Sequence, residues 1–451
     1  MPESGYFSGM KWLLILLLPT ALLAQEKTDV LFNRYYAQSI EKLREIYTVR
    51  NAAFICQPGN AGTNYQQEVK DYIRAFKAKA PEVGVLFYSV SPDTMRIWLG
   101  TLQQWRYAET KIKASKLADI EYQLRTALGV ESLAATRAPL AKTGDEATLR
   151  SSIKKSAIAK PASLQKAIQD ATALLLPASI AEGLKGLSHL FIIPEYNIGQ
   201  FPFHVLQPYG NNSYLVDSLS WSFVPHLCNF EAFAMENAMK MGKPNQLKAN
   251  NPLVVGNPAY SQEAPFYLPD LPGAAAEASL VGNALETTSL LQASANISTV
   301  KQLAPKADLL YFATHGHFDN SKMLDGSFLA FAPDSSSATG LLSARDIQQM
   351  KLKAELAILS ACQTGFGKVF AGGFHGIGRA FYKAGVNFSV ISLWSVNDAA
   401  TKELMIRYLV KLMNPDYFYP ARQLQEAIQA VKKKYPEPAN WAAFSVFGFT
   451  Y

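Results

Sequence analysis

Cysteine is scarce in this chain. Three occur in 451 residues, Cys56, Cys228 and Cys362, and no pair of them has metal-ligand spacing, which excludes a zinc site built on cysteines. Basic runs are short as well. None exceeds Lys432-Lys433-Lys434, which reads as a solvated helix end, so a formal charge of +7 leaves no footprint for nucleic acid. No Gly-x-Ser-x-Gly element marks a serine hydrolase. Gly59-Asn60-Ala61-Gly62 lacks the lysine and the strand context of a phosphate loop, which leaves nucleotide binding without support. Composition shows no bias either: 49% of residues are hydrophobic and 18% charged, the make-up of a folded domain rather than a disordered or rod-like chain. Nothing in this inventory calls for a metal or an organic cofactor.

The amino terminus stands apart from the rest. Lys11 precedes the apolar run Trp12 to Leu18, and Pro19 and a small-residue stretch follow to Ala24. A basic segment, an apolar segment and small residues before a cleavage point define a secretory signal, so residues 1–25 are expected to be removed. Met10 stands where such a signal begins. The apolar run is too short to span a bilayer comfortably, and an uncleaved segment would give only peripheral membrane contact. Export would deliver the chain to the periplasm, the cell surface or the medium. In an oxidising compartment Cys56 and Cys228 either pair, leaving Cys362 free, or act as small buried hydrophobes; their spacing leaves both open.

Periodicity divides the remainder. Residues 26–81 read as helical, with Tyr65, Val69, Tyr72, Ile73 and Phe76 on one face. Val85 to Val90 and Met95 to Leu99 flank Ser91-Pro92-Asp93-Thr94 as a β-hairpin. Helical spacing returns over 111–128, the 134–161 stretch reads as a surface loop or linker, and Leu164, Ile168, Ala171, Leu174 and Leu175 mark another helix. From Leu187 short apolar runs begin at Leu190, Leu253, Leu309, Leu356 and Phe388, with helical stripes between them. Apolar runs without polar alternation are what strands buried on both faces look like. The alternation predicts an α/β layer with a mostly parallel sheet and helices on both faces, plus a small N-terminal helical region. Trp441 to Gly448 is expected to supply a closing strand.

Two of these strands run directly into reactive residues. Leu309-Leu310-Tyr311-Phe312-Ala313 is followed by Thr314-His315-Gly316-His317, and Leu356-Ala357-Ile358-Leu359 by Ser360-Ala361-Cys362-Gln363-Thr364-Gly365. Chemistry in open α/β sheets happens in the crevice beyond the carboxyl ends of the strands. If the two strands are neighbours, a thiol and an imidazole share that crevice. The thiolate is a nucleophile, and a nearby imidazole populates it and then protonates the leaving amine. Backbone N–H groups of Gly316 and Cys362 suit an oxyanion hole. The separation of the two residues (362 − 315 = 47) is close to the roughly 50-residue spacing of caspases.

These segments resemble the CHAT domain, a relative of caspases and separase. Thr314-His315-Gly316 is similar to its histidine motif and Leu359-Ser360-Ala361-Cys362-Gln363-Thr364-Gly365 to its cysteine motif. The likeness continues through Pro194, Pro202-Phe203, Val224-Pro225, Val255-Gly256-Asn257-Pro258, Leu271-Pro272-Gly273 with Glu277, Gly376 to Phe381, Ser392 to Asp398 and Trp441 to Phe444, covering roughly residues 82–451. The resemblance implies a caspase-like fold and a cysteine endopeptidase with Cys362 as nucleophile and His315 as base, acting on a protein or peptide substrate, with room for a regulatory protein partner. It also implies that Asp319 and Asp398, with His317, bind substrate in an acidic pocket that selects a basic residue before the cut, as separase does. A solvated loop, or for Asp398 a helix cap, is the plainer reading of those aspartates. His189, His204 and His226 are expected to be structural, and His375 to line the cleft. The chain departs from the family at Gly372-Gly373, where a glutamate is usual, and at Ser395 and Asn397. A non-catalytic interaction module that keeps the fold, or an acyltransferase using the same thiol, stays open at this point.

Overall fold

A computed structural model describes residues 28–41, 63–77, 82–130, 161–210, 213–224, 227, 247, 249–262, 268–317, 324–361, 377–394, 396, 398–414 and 418–448. The expected signal, Cys56, Cys228, His226, His375 and the 134–160 stretch lie outside the described residues.

Aromatic side chains organise the amino-terminal part. Helix α1 (residues 28–41) and helix α2 (Tyr65–Lys77) lead into strands β1 (Val83–Ser91) and β2 (Thr94–Gly100), the predicted hairpin. Phe32 of α1 packs edge-on against Phe87 and Trp98 at 5.8 and 5.9 Å, which seats the helix on the hairpin. A third antiparallel strand, β3 (Trp105–Lys111), was not legible in the sequence. It forms the sheet edge and is only half-buried, so it carries charged residues instead of an apolar run.

Helices α3 (Ala114–Ala127) and α4 (Pro161–Leu175) then lead to the alternating part: β4 (His189–Ile193), β5 (Ser220–Phe223), β6 (Pro252–Pro258), α5 (Pro272–Ala284), β7 (Leu290–Gln292) and β8 (Leu309–Ala313). A small side sheet of β9 (Gly316–His317), β10 (Phe328–Ala330) and β11 (Leu341–Ser343) follows. The main sheet resumes with β12 (Leu356–Leu359), α6 (Ile377–Ala384), β13 (Phe388–Ser392), α7 (Asp398–Leu412), α8 (Pro420–Lys432) and β14 (Phe444–Phe447). The eleven-stranded order is β3-β2-β1-β4-β5-β14-β13-β12-β8-β6-β7. Pairing is parallel everywhere except within β1–β3 and between β13 and β14. The fold is the mostly parallel α/β sheet that the alternation predicted. The 441–448 segment does form a strand, but β14 lies inside the sheet between β5 and β13 rather than closing an edge.

Every residue of β4, β8, β12 and β13 is buried, as strands covered on both faces must be. α5 packs closely on β6 as part of that cover. A Cβ on Gly256 would fall 2.3 Å from the Ala278 Cβ and 2.6 Å from the Ala274 carbonyl oxygen. The Gly256→Ala variant is therefore expected to push α5 off the sheet and to cost about 1–3 kcal/mol, measured as a lower urea midpoint with unchanged slope.

His189 and His204 sit in this core, as expected of structural histidines. His189 Nδ1 shares a hydrogen bond with Ser220 Oγ at 2.9 Å, and His204 Nε2–H donates to the Phe444 carbonyl at 2.8 Å. Burial pushes His189 down to about 3 and His204 down to about 4, so both rings are neutral in the folded chain. Unfolded, each ring takes up a proton near its ordinary pKa. Their contribution to stability is complete above about pH 6.5 and is lost as pH falls toward the folded values. Each ring should cost the fold about 2 kcal/mol at pH 5 relative to pH 7. Urea unfolding at the two pH values should show a His204→Gln variant losing that much less than the parent chain.

Candidate active site

The site begins with two strands in register. β8 and β12 are parallel neighbours, with Leu309 opposite Leu356 and Phe312 opposite Leu359. Thr314-His315 leaves β8 at the same level at which Ser360-Ala361 leaves β12, so both segments enter one crevice at the carboxyl end of the sheet. Ser392, at the end of β13, donates from its hydroxyl to the Ala361 carbonyl at 2.6 Å and ties the third strand end to this level.

His315 is held on two sides. Its Nε2 lies 2.8 Å from the Pro269 carbonyl oxygen, and the edge of the Tyr260 ring packs against it at 4.8 Å. A carbonyl only accepts, so Nε2 carries the proton and Nδ1 of the neutral ring carries the lone pair. Burial lowers the pKa of His315 below its ordinary value, and the Pro269 carbonyl partly offsets this by favouring the protonated ring. The ring is thus neutral at neutral pH, with its lone pair on Nδ1. Below it, the buried Thr314 Oγ1 contacts the Tyr260 hydroxyl at 3.2 Å and donates to the Ala330 carbonyl, while the Ala330 N–H donates to the His315 carbonyl at 3.0 Å. This bonding ties the histidine segment to the side sheet. Gly316 pairs with Leu329 next to that hydrogen-bonded position, and antiparallel alternation turns its own N–H away from β10. His317 lies beyond β8 in the short strand β9, its ring 5.1 Å from that of Phe328.

The Pro269 carbonyl is itself positioned by Asn257. This residue, next to last in β6, lies in the left-handed region at φ 44°, which asparagine tolerates better than most residues. From there its side chain accepts from the Leu271 N–H at 2.8 Å and donates to Asp270 Oδ1 at 2.9 Å. Asp270, Glu277, Thr314, Ser360, Trp394 and Phe444 contribute to the walls of a cavity of about 230 Å³ beside these strand ends. Glu277 is buried and accepts from the Tyr311 hydroxyl at 2.5 Å.

Of the residues singled out from the sequence, His315, Gly316 and His317 are found at this crevice edge. Cys362 and Asp319 lie outside the described residues, and Asp398 is described only as the first residue of α7, without its side chain. The Pro269 carbonyl, the Tyr260 ring and the Asp270 carboxylate were missed, since a backbone acceptor and two residues distant in sequence carry no local signal. In the sequence Asn257 stands out only within Val255-Gly256-Asn257-Pro258.

A sheet of this order, with a histidine leaving one strand and the crevice at its carboxyl end, is that of the caspase-like class. The Saccharomyces cerevisiae separase in its complex with securin superposes on 82% of this chain with a TM-score of 0.50 at 13% identity, using 30% of that chain. The CHAT domain model matches residues 165–449, and the chain belongs to the CHAT domain family. Tetratricopeptide repeat protein 28 of Mus musculus is 25% identical over 298 residues, and that of Homo sapiens 26%. Each match takes in 57% of this chain and 12% of the relative's length.

The role of Asn257 can be tested directly. An Asn257→Gly variant keeps the backbone freedom and removes both side-chain hydrogen bonds. Hydrogen–deuterium exchange over residues 268–273 should then show the Leu271 amide losing its protection, with the β8 and β12 amides unchanged.

Proposed function

We propose that this chain is an exported cysteine endopeptidase that cleaves a protein partner with a Cys362–His315 dyad. The observation that carries the reading is the base: a half-buried imidazole just past the end of β8, fixed through Nε2 by Pro269 and left with its Nδ1 lone pair. The strand register supports the partner. Residues paired between β8 and β12 differ by the same number as His315 and Cys362 (356 − 309 = 47), so a thiol one residue beyond Ala361 suits this base.

In this mechanism Nδ1 takes the Cys362 thiol proton as Sγ bonds to the scissile carbonyl carbon. The carbonyl oxygen becomes an oxyanion received by the Gly316 and Cys362 N–H groups. His315 returns the proton to the leaving nitrogen as the C–N bond breaks, and water then releases the acyl group with the same base assisting. Asp319, Asp398 and His317 are proposed to bind the substrate. Asp270 and Glu277 on the cavity wall add to an acidic environment suited to a basic side chain before the cut. A regulatory protein partner is part of the proposal, by analogy with the pairing in the separase–securin complex.

The test is labelling of the purified chain with a peptidyl chloromethyl ketone carrying a basic residue. Labelling should map to Cys362, vanish in Cys362→Ala and slow by about a hundredfold or more in His315→Ala. If Cys362 proves no more reactive than an ordinary accessible thiol, the peptidase reading fails and the fold serves as an interaction module.

A further inference from the structure

One wall of the crevice is held from outside the family-matched residues. Arg125, on α3, precedes the matched stretch of 165–449 and is 1% exposed. Its Nη2 donates to the Leu393 carbonyl at 2.9 Å, and the guanidinium lies 5.4 Å from the centre of the Trp394 ring. Glu121, one turn earlier on α3, sits with a carboxylate oxygen 3.3 Å from Arg125 Nε. The other side of the segment is pinned too. The Leu393 N–H donates to the Ala443 carbonyl at 2.9 Å, and the Trp394 indole N–H to the Ala439 carbonyl at 2.9 Å. Trp394 in turn lines the cavity beside Asp270 and Thr314.

We propose that Arg125 is a positioning residue for the substrate crevice, its guanidinium holding the Leu393 carbonyl and the Trp394 ring so that the indole forms a fixed wall of the cavity. The planar ion suits both tasks, since one edge donates in line to a carbonyl while its face covers an aromatic ring. Burying such an ion is costly unless it is paired. Glu121 supplies the pairing, and burial holds its carboxyl up to about 7 while Arg125 pulls the other way. Helix α3 is thereby a working part of the crevice. Substrate occupancy, rather than thiol reactivity, depends on it. This inference rests on the peptidase reading and assigns it a specificity element.

The experiment compares two probes on the full chain. Iodoacetamide, its alkylation followed at Cys362 by peptide mapping so that Cys56 and Cys228 are counted apart, reads that thiol without the crevice, and the peptidyl chloromethyl ketone reads the thiol and the crevice together. Because losing Arg125 alone strands a buried carboxylate, the main variant replaces both partners, Glu121→Gln with Arg125→Met. Arg125→Lys, which keeps the charge and loses the planar face, is the milder second variant, and thermal melting confirms that each is folded. In both, the half-saturating concentration of the peptidyl probe should rise, by between about tenfold and a hundredfold in the double variant and less in Arg125→Lys. The limiting labelling rate and the iodoacetamide rate should stay within about twofold. Adding either change to Trp394→Ala should produce little further rise, because the two residues act as one unit. Additive effects, an unchanged half-saturating concentration, or a joint fall of both probe rates overturns the role of Arg125. Failure of the parent chain to label at Cys362 instead overturns the peptidase reading, and this inference with it.

Discussion

β8 and β12 run side by side, and the hydrogen-bond ladder between them sets the level at which each chain leaves the sheet. Everything proposed about the site depends on that register. A parallel ladder moves in steps of two residues if side chains are to keep their faces, so a slip would carry His315 nearly 7 Å along the strand and bury it or strand it in solvent. The register is protected by burial. All residues of both strands are inside the core, and the Tyr311–Glu277 and His315–Pro269 hydrogen bonds hold the β8 side in place.

Around that ladder, the crevice is made of backbone held in place by side chains that do no chemistry. Asn257 fixes the Asp270–Leu271 backbone, whose neighbour Pro269 sets the tautomer of His315. Thr314 and Tyr260 lock the histidine segment to the side sheet, and Ser392 ties β13 to β12. Arg125 reaches in from a helix that precedes the family-matched residues. In the proposed dyad the base presents one nitrogen to a thiol and needs its other nitrogen satisfied by a fixed acceptor, and a backbone carbonyl cannot rotate away as a side chain can.

Much of the fold was legible because the buried strands are short, apolar and separated by helical stripes. β8 and β12 could be read from Leu309 and Leu356 onward, and the hairpin from Val85 to Leu99. Other elements were hidden for physical reasons. β3 is an edge strand whose charged residues mask it, and β9, β10 and β11 are too short to show a period. β14 was recognisable as a strand, but its place between β5 and β13 follows from packing after both are formed.

The sequence by itself determined the α/β class, the strands that carry the histidine and cysteine motifs, and the family. Local patterns suffice there, because apolar runs and motif residues are contiguous. Only the tertiary structure decided which strands are neighbours, which nitrogen of His315 faces the Pro269 carbonyl, and which distant groups hold the crevice. Those depend on contacts between residues far apart in the chain: 46 positions from Pro269 to His315 and 268 from Arg125 to Leu393. No local period encodes such separations, since they arise only when the whole sheet closes its core.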